Sequence, residues 1–273
     1  MSFTLAPLTA IIIACLAGGA LSVLAAAGTL ALHSRWISPL VSFAVGALLG
    51  AVFLELLPHA LEHGATQRVM LTVLIGLLLF FLLEKLVLWR HSHLEAESLA
   101  EGGSLIATED ATADAPPHSH GFDSGRSGLM ILIGNSVHNF CDGIVIAATF
   151  IADFTLGTTT ALAIVAHAIP QQVGDFAVLL HSGYTRRRAF AYNLATGAAT
   201  MLGGLAGYAA LASMQEVLPT VLALAAASLL YVAVADLIPS LHRHPSPGDT
   251  ARQLALIGVG IAIIAVAHVV LEH

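Results

Sequence analysis

Apolar residues run through this chain in long blocks, and polar residues and turn formers collect at the joints between them. A bilayer core about 30 Å thick needs roughly 20 apolar residues per helix. Cutting at the joints predicts eight helical spans, roughly 5–32, 39–62, 69–89, 128–151, 156–182, 189–211, 217–241 and 254–271. The first occupies a signal peptide's position but lacks a basic leader, and seven similar segments follow it, so it reads as a span. Between spans three and four lies one long connection, 92–127, rich in Glu, Asp, Ala, Ser and Gly and expected to be a disordered linker on the cytoplasmic side. The chain thus divides into spans one to three (1–91), the linker (92–127), spans four and five (128–182) and spans six to eight (183–273).

The same pattern contains a repeat. Glu55-Leu-Leu-Pro58 in span two matches Asp236-Leu-Ile-Pro239 in span seven, and the alignment also pairs Ala44 with Ala225, Leu48 with Leu229 and Leu49 with Leu230. Eight alternating spans send these two in opposite directions, so spans one to three and six to eight are expected to be inverted repeats flanking a central pair. Sorting the loops to alternate sides puts Arg35, Lys85, Arg90, Arg126, Arg186, Arg187, Arg188, Arg243 and Arg252 on one side and Arg68 alone on the other. Basic loops stay in the cytoplasm, which places both termini outside.

Composition narrows the class further. Hydrophobic residues make up 57% and charged residues 10% of the 273 positions, where a soluble domain carries about 25% charged. This excludes a soluble domain. The ten basic residues are scattered along a chain of net charge -7, which excludes nucleic acid as a partner. Cys15 and Cys141 lie in apolar runs and read as free thiols.

Ionisable side chains at membrane depth are expensive and mark function. Span four carries Asn135, His138, Asn139, Asp142 and Gly143; span five carries His167, Pro170, Gln171, Gln172, Gly174, Asp175 and His181. At 3.6 residues per turn, His138 stacks on Asp142 and His167 on Gln171. Two such helices facing each other present two imidazoles, a carboxylate and a carboxamide to one point, a cage for a borderline divalent cation. Pro170 is expected to bend span five and free a carbonyl near Ala166, and Gly143 and Gly174 to let backbones approach closely. Polar residues that merely tie helices together are the alternative.

Elsewhere, Glu55, His59, Glu62 and His63 could line an entry path, and Asp236, His242 and His244 an exit; hydrated ends of spans would look the same. Glu84 and Lys85 read as a mutually compensating pair, and His268 as a lone buried histidine. His91, His93, His118 and His120 make the linker either a weak metal-collecting tether or plain solvated chain. Gly197, Gly203, Gly204 and Gly207 read as packing surface.

Through His138-Asn-Phe-Cys-Asp142-Gly143 and His167-Ala-Ile-Pro170-Gln-Gln-Val-Gly174-Asp175 the chain resembles the bacterial branch of the ZIP (Zrt/Irt-like) divalent metal transporters. The resemblance implies an all-α, polytopic membrane protein of eight transmembrane helices in a 3+2+3 inverted-repeat bundle. It also implies uptake of Zn²⁺, or of Fe²⁺, Mn²⁺ or Cd²⁺, across a bacterial inner membrane, and a homodimer in which a transport unit slides against a scaffold. The fifth span of that family often reads His-Glu-x-Pro-His-Glu, where this chain has Ala168, Gln171 and Gln172. The implied first metal position is His138, Asp142, His167 and Gln171; a second near Asn139 and Gln172 lacks the usual acids. No phosphate-binding loop is present, so ATP is not expected to drive transport. The rival is an intramembrane zinc hydrolase using the same ligands, which would need a general base beside Asp142 that the sequence does not offer. The chain is therefore expected not to be an enzyme.

Overall fold

The computed structural model describes residues 5–28, 37–103, 126–242 and 246–272, and every regular element among them is helical. In chain order these are α1 (Leu5–Gly28), α2 (Ile37–His63), α3 (Thr66–Gly103), α4 (Arg126–Ala152), α5 (Phe154–His181), α6 (Arg186–Leu211), α7 (Gln215–Leu241) and α8 (Pro247–Glu272). Six of them, α2, α3 and α5 to α8, contain stretches long and apolar enough to cross a membrane. Among the described residues the apolar stretch of α1 is Pro7–Leu21, and α4 carries the polar run Asn135 to Asp142. Leu71, Leu74, Ile75, Leu78 and Leu82 of α3 face outward, the arrangement of a helix solvated by lipid. The protein is an all-α, polytopic membrane protein.

Helix α3 continues to Gly103, well past Trp89, so the start of the expected linker is helical. The reason is local: Leu94-Glu-Ala-Glu-Ser-Leu-Ala-Glu101 consists mostly of strong helix formers. The rest of that linker, with His118 and His120, lies outside the described residues, as do the side chains of His91 and His93 and the whole of Arg35, Arg243 and His244.

The helices pack in two groups. In one, α4 lies along α6, and α1 and α5 complete the set; in the other, α8 lies along α2, and α3 along α7. The two groups meet mainly where α2 crosses α5. Each group has a glycine-built crossing. A Cβ on Gly143 would strike the Thr200 carbonyl and one on Gly203 the Phe140 carbonyl, so α4 and α6 approach backbone to backbone. Gly46 and Gly260 do the same for α2 and α8, against the carbonyls of Ile257 and Phe43. Gly197, Gly204 and Gly207 also face neighbouring helices, as the spacing predicts. Gly174 does not: it is exposed and a Cβ there would meet open space, because this face of α5 has no helix packed against it.

The repeat reappears in the backbone. Residues Ala51–Leu56 of α2 and Val232–Leu237 of α7 form wide, π-helical turns, in which the N–H of Leu57 reaches the carbonyl of Val52 and that of Ile238 reaches Ala233. These two segments superpose on the Glu55/Asp236 sequence alignment residue for residue. The cause is the proline that follows each, Pro58 and Pro239, which supplies no N–H to the preceding turn and displaces the hydrogen-bond ladder. Three matched apolar pairs also share burial, Ala44 with Ala225 and Leu48 with Leu229 buried and Leu49 with Leu230 half-buried, whereas Glu55 is buried and Asp236 exposed.

The π turn in α2 holds Glu55 inside the protein, and its partner is His268 of α8. His268 Nδ1 lies 3.0 Å from Glu55 Oε2, and its Nε2 lies 3.3 Å from Glu272 Oε1. The histidine expected to stand alone therefore bridges two carboxylates, because α8 packs along α2 at this level. Glu84 likewise departs from its expected pairing with Lys85 and accepts a hydrogen bond from the Tyr231 hydroxyl, since α3 lies along α7. Leaving a buried carboxyl without its hydrogen-bond partner costs about 1–3 kcal/mol; with the His268 side chain 36% exposed, His268→Ala is expected to cost about 2 kcal/mol. A thermal melt of the purified protein in detergent checks this: the midpoint falls in His268→Ala and stays in Glu272→Gln.

Candidate metal centre

Helix α4 brings His138 and Asp142 one turn apart, and α5 brings His167 against them from the facing helix. His138 Nε2 and His167 Nε2 are 3.3 Å apart, and both approach the same oxygen, Asp142 Oδ2, at 3.5 Å and 3.3 Å. Three ligand atoms thus form a nearly equilateral triangle. Zinc bonds of about 2.0–2.1 Å arranged tetrahedrally imply ligand-to-ligand edges of roughly 3.3–3.4 Å, so the triangle has the dimensions of one face of such a tetrahedron. Among the described residues, this is the cluster of His, Cys, Asp and Glu that could hold a metal ion.

The surroundings orient these ligands. His167 is fully buried and its Nδ1 lies 3.3 Å from the Ala163 carbonyl. That contact puts the proton on Nδ1 and turns the Nε2 lone pair toward Asp142. Asp142 is 1% exposed, whereas the His138 side chain remains 21% exposed. A carboxylate buried this deeply requires cationic company.

The other residues singled out in the sequence divide between two layers. Gln171 is half-buried and donates from Nε2 to Asn135 Oδ1 at 3.3 Å, and Asn135 in turn donates to Asp175. The amide of Gln171 is thereby held to Asn135 rather than to the three clustered ligands. Asn139 and Gln172 turn instead to α6: Asn139 Nδ2 donates to the Thr196 carbonyl at 3.1 Å and Gln172 Nε2 to Thr196 Oγ1 at 3.2 Å. Asn193 adds a bond of 3.0 Å from Nδ2 to the Gln172 carbonyl. Asn193 and Thr196 escaped the sequence reading, although two polar residues three apart in an apolar helix share a face and were a usable signal.

Burial of the polar residues differs between the two ends of the centre. Toward the α4–α5 connection, Thr149, Thr159, Thr160 and Glu55 are all buried. Toward the opposite end, Asn135, Gln171 and Asp175 are partly exposed, and Asp236 and His242 are exposed. Asp236, on the π turn of α7, lies within electrostatic reach of both His138 and His167. Pro170 sits inside α5, which continues as α-helix to His181.

The fold and this constellation define a polytopic membrane protein with a dication-sized cluster between its central helices. Comparison with known proteins adds its lineage. The family model described as ZIP Zinc transporter matches residues 2–268. The human protein named Zinc transporter ZIP13 is 31% identical over 268 residues, covering 84% of this chain and 70% of its own. A Drosophila melanogaster ZIP13 homolog is 31% identical, covering 88% and 79%, and human Zinc transporter ZIP5 is 33% identical, covering 85% of this chain and 52% of its own. This chain belongs to the ZIP zinc transporter family.

Proposed function

We propose that the chain carries divalent transition-metal ions, Zn²⁺ foremost and Fe²⁺, Mn²⁺ or Cd²⁺ as alternatives, into the cytoplasm by alternating access around His138, Asp142 and His167, with Gln171 Oε1 as fourth ligand. The observation that carries this is the 3.3–3.5 Å triangle of ligand atoms. A single carboxylate lowers the ion's charge without trapping it, and transport needs that moderation. The nine-to-one division of basic residues supports a cytoplasmic location for the end at which Asn135 and Asp175 are partly exposed. On that orientation the conformation described above is the one that releases metal inward. Both termini then face outward, and eight spans, α1 to α8, cross the membrane; the paired π turns support the 3+2+3 inverted repeat. A bacterial inner membrane and a homodimer are carried by the family resemblance. The intramembrane hydrolase is not favoured, since the relatives are named as transporters.

Uptake of radiolabelled zinc into proteoliposomes tests this reading. Time-dependent accumulation inside the vesicles is expected; stoichiometric binding with no accumulation would contradict it.

A further inference from the structure

A cavity of ≈ 20 Å³ adjoins the metal centre and is lined in part by Asn139, Asp142, Ala168, Gln172 and Thr200. His138 and His167 do not line it, so it lies beyond Asp142 as seen from the imidazoles. A water needs about 10–15 Å³ measured in this way, so the cavity takes one small occupant. Two of the oxygens on its lining residues, Asp142 Oδ1 and Gln172 Oε1, are buried and have no hydrogen-bond partner within the protein. Both residues are almost fully buried, at 1% and 2% exposure.

The neighbouring amide groups make their hydrogen bonds elsewhere. The amide nitrogens of Asn139 and Gln172 are both bonded to Thr196, and that of Asn193 holds the Gln172 backbone. Two buried acceptors therefore adjoin the same space and neither receives a hydrogen bond from the protein, the Thr200 hydroxyl on the cavity wall included; leaving them unsatisfied is costly. A water molecule answers both, donating one proton to each. A second dication would not be held: Ala168 offers no ligand and the amides are neutral. The single carboxylate already serves the first ion, and two double charges repel four times as strongly as two single ones.

We infer that this cavity holds a water bridging Asp142 Oδ1 and Gln172 Oε1, and that Gln172 is a positioning residue which, through that water, keeps Asp142 Oδ2 aimed at the two imidazoles of a one-ion site. The inference rests on the metal centre proposed above. Partners that support a ligating carboxylate are commonly worth about 10–100-fold in metal affinity. Gln172 thus acts on metal binding although it touches no metal.

Calorimetric titration of the full chain in detergent with Cd²⁺ tests it. Wild type is expected to take one equivalent. Gln172→Leu, which removes the acceptor, is expected to keep one equivalent at about 10–100-fold weaker affinity, with the protein still folded and its metal-free melting midpoint lowered only by loss of the Gln172–Thr196 hydrogen bond. Gln172→Glu restores an oxygen and adds a carboxylate, so it is expected to bind the first ion tightly and to gain a second equivalent. Two equivalents in wild type, full affinity in Gln172→Leu, or one equivalent in Gln172→Glu would overturn the inference. The metal centre itself is read separately: wild type that binds no Cd²⁺, or binding insensitive to His138→Ala, defeats the proposed function, whereas two equivalents lost together in His138→Ala defeat only the water.

Discussion

His167→Ala is expected to abolish metal uptake and to weaken binding by more than about 100-fold, beyond the range for losing a residue that merely supports a ligand. The size of the effect follows from burial. His167 is fully enclosed and its Nε2 is one corner of the ligand triangle, so its loss leaves Asp142 with a single imidazole in a site that water enters poorly. His138→Ala is expected to act in the same direction, and its greater exposure lets a water stand in for the lost nitrogen more readily. Initial rates of zinc uptake, normalised to inserted protein, check both variants. Normal transport by either would place the transported ion elsewhere.

Gly203→Ala is expected to have the largest structural consequence of any small substitution near the centre. Its methyl would collide with the Phe140 carbonyl, and neither backbone can yield without separating α4 from α6. Overpacking of this kind costs about 1–3 kcal/mol, and contact with backbone puts it at the upper end. The strain falls beside Asn139 and Asp142, so a lower melting midpoint and a weaker metal affinity are expected together. Gly258→Ala on α8 is the control: a Cβ there meets open space, and helix propensity favours alanine by about 1 kcal/mol. A Gly203→Ala protein that melts and binds like wild type would contradict the close crossing.

Much of this organisation was legible in the letters because a membrane forces it. Long apolar blocks have to be helices, and histidine or aspartate within them has to be compensated, so His138, Asp142 and His167 stood out. The repeat was legible through its prolines, since Pro58 and Pro239 bend the hydrogen-bond ladder wherever they fall in a helix. What stayed hidden were partnerships across helices distant in sequence. Glu55 with His268, and Glu84 with Tyr231, depend on α2 lying along α8 and α3 along α7, and span periodicity says nothing about which neighbours a helix chooses. The sequence reading puts Gln171 with the first metal position and Gln172 with Asn139 at a second. Consecutive residues on a helix point about 100° apart, and the packing of α6 decides which of them turns from the central site toward Thr196.

The most direct test of the central claim is the anomalous signal from a crystal of the protein soaked in Cd²⁺ or Zn²⁺. A peak bonded at once to His138 Nε2, Asp142 Oδ2 and His167 Nε2, at about 2.0–2.3 Å, is the predicted result. Metal bound elsewhere, with the two imidazoles turned away from a common point, would contradict it.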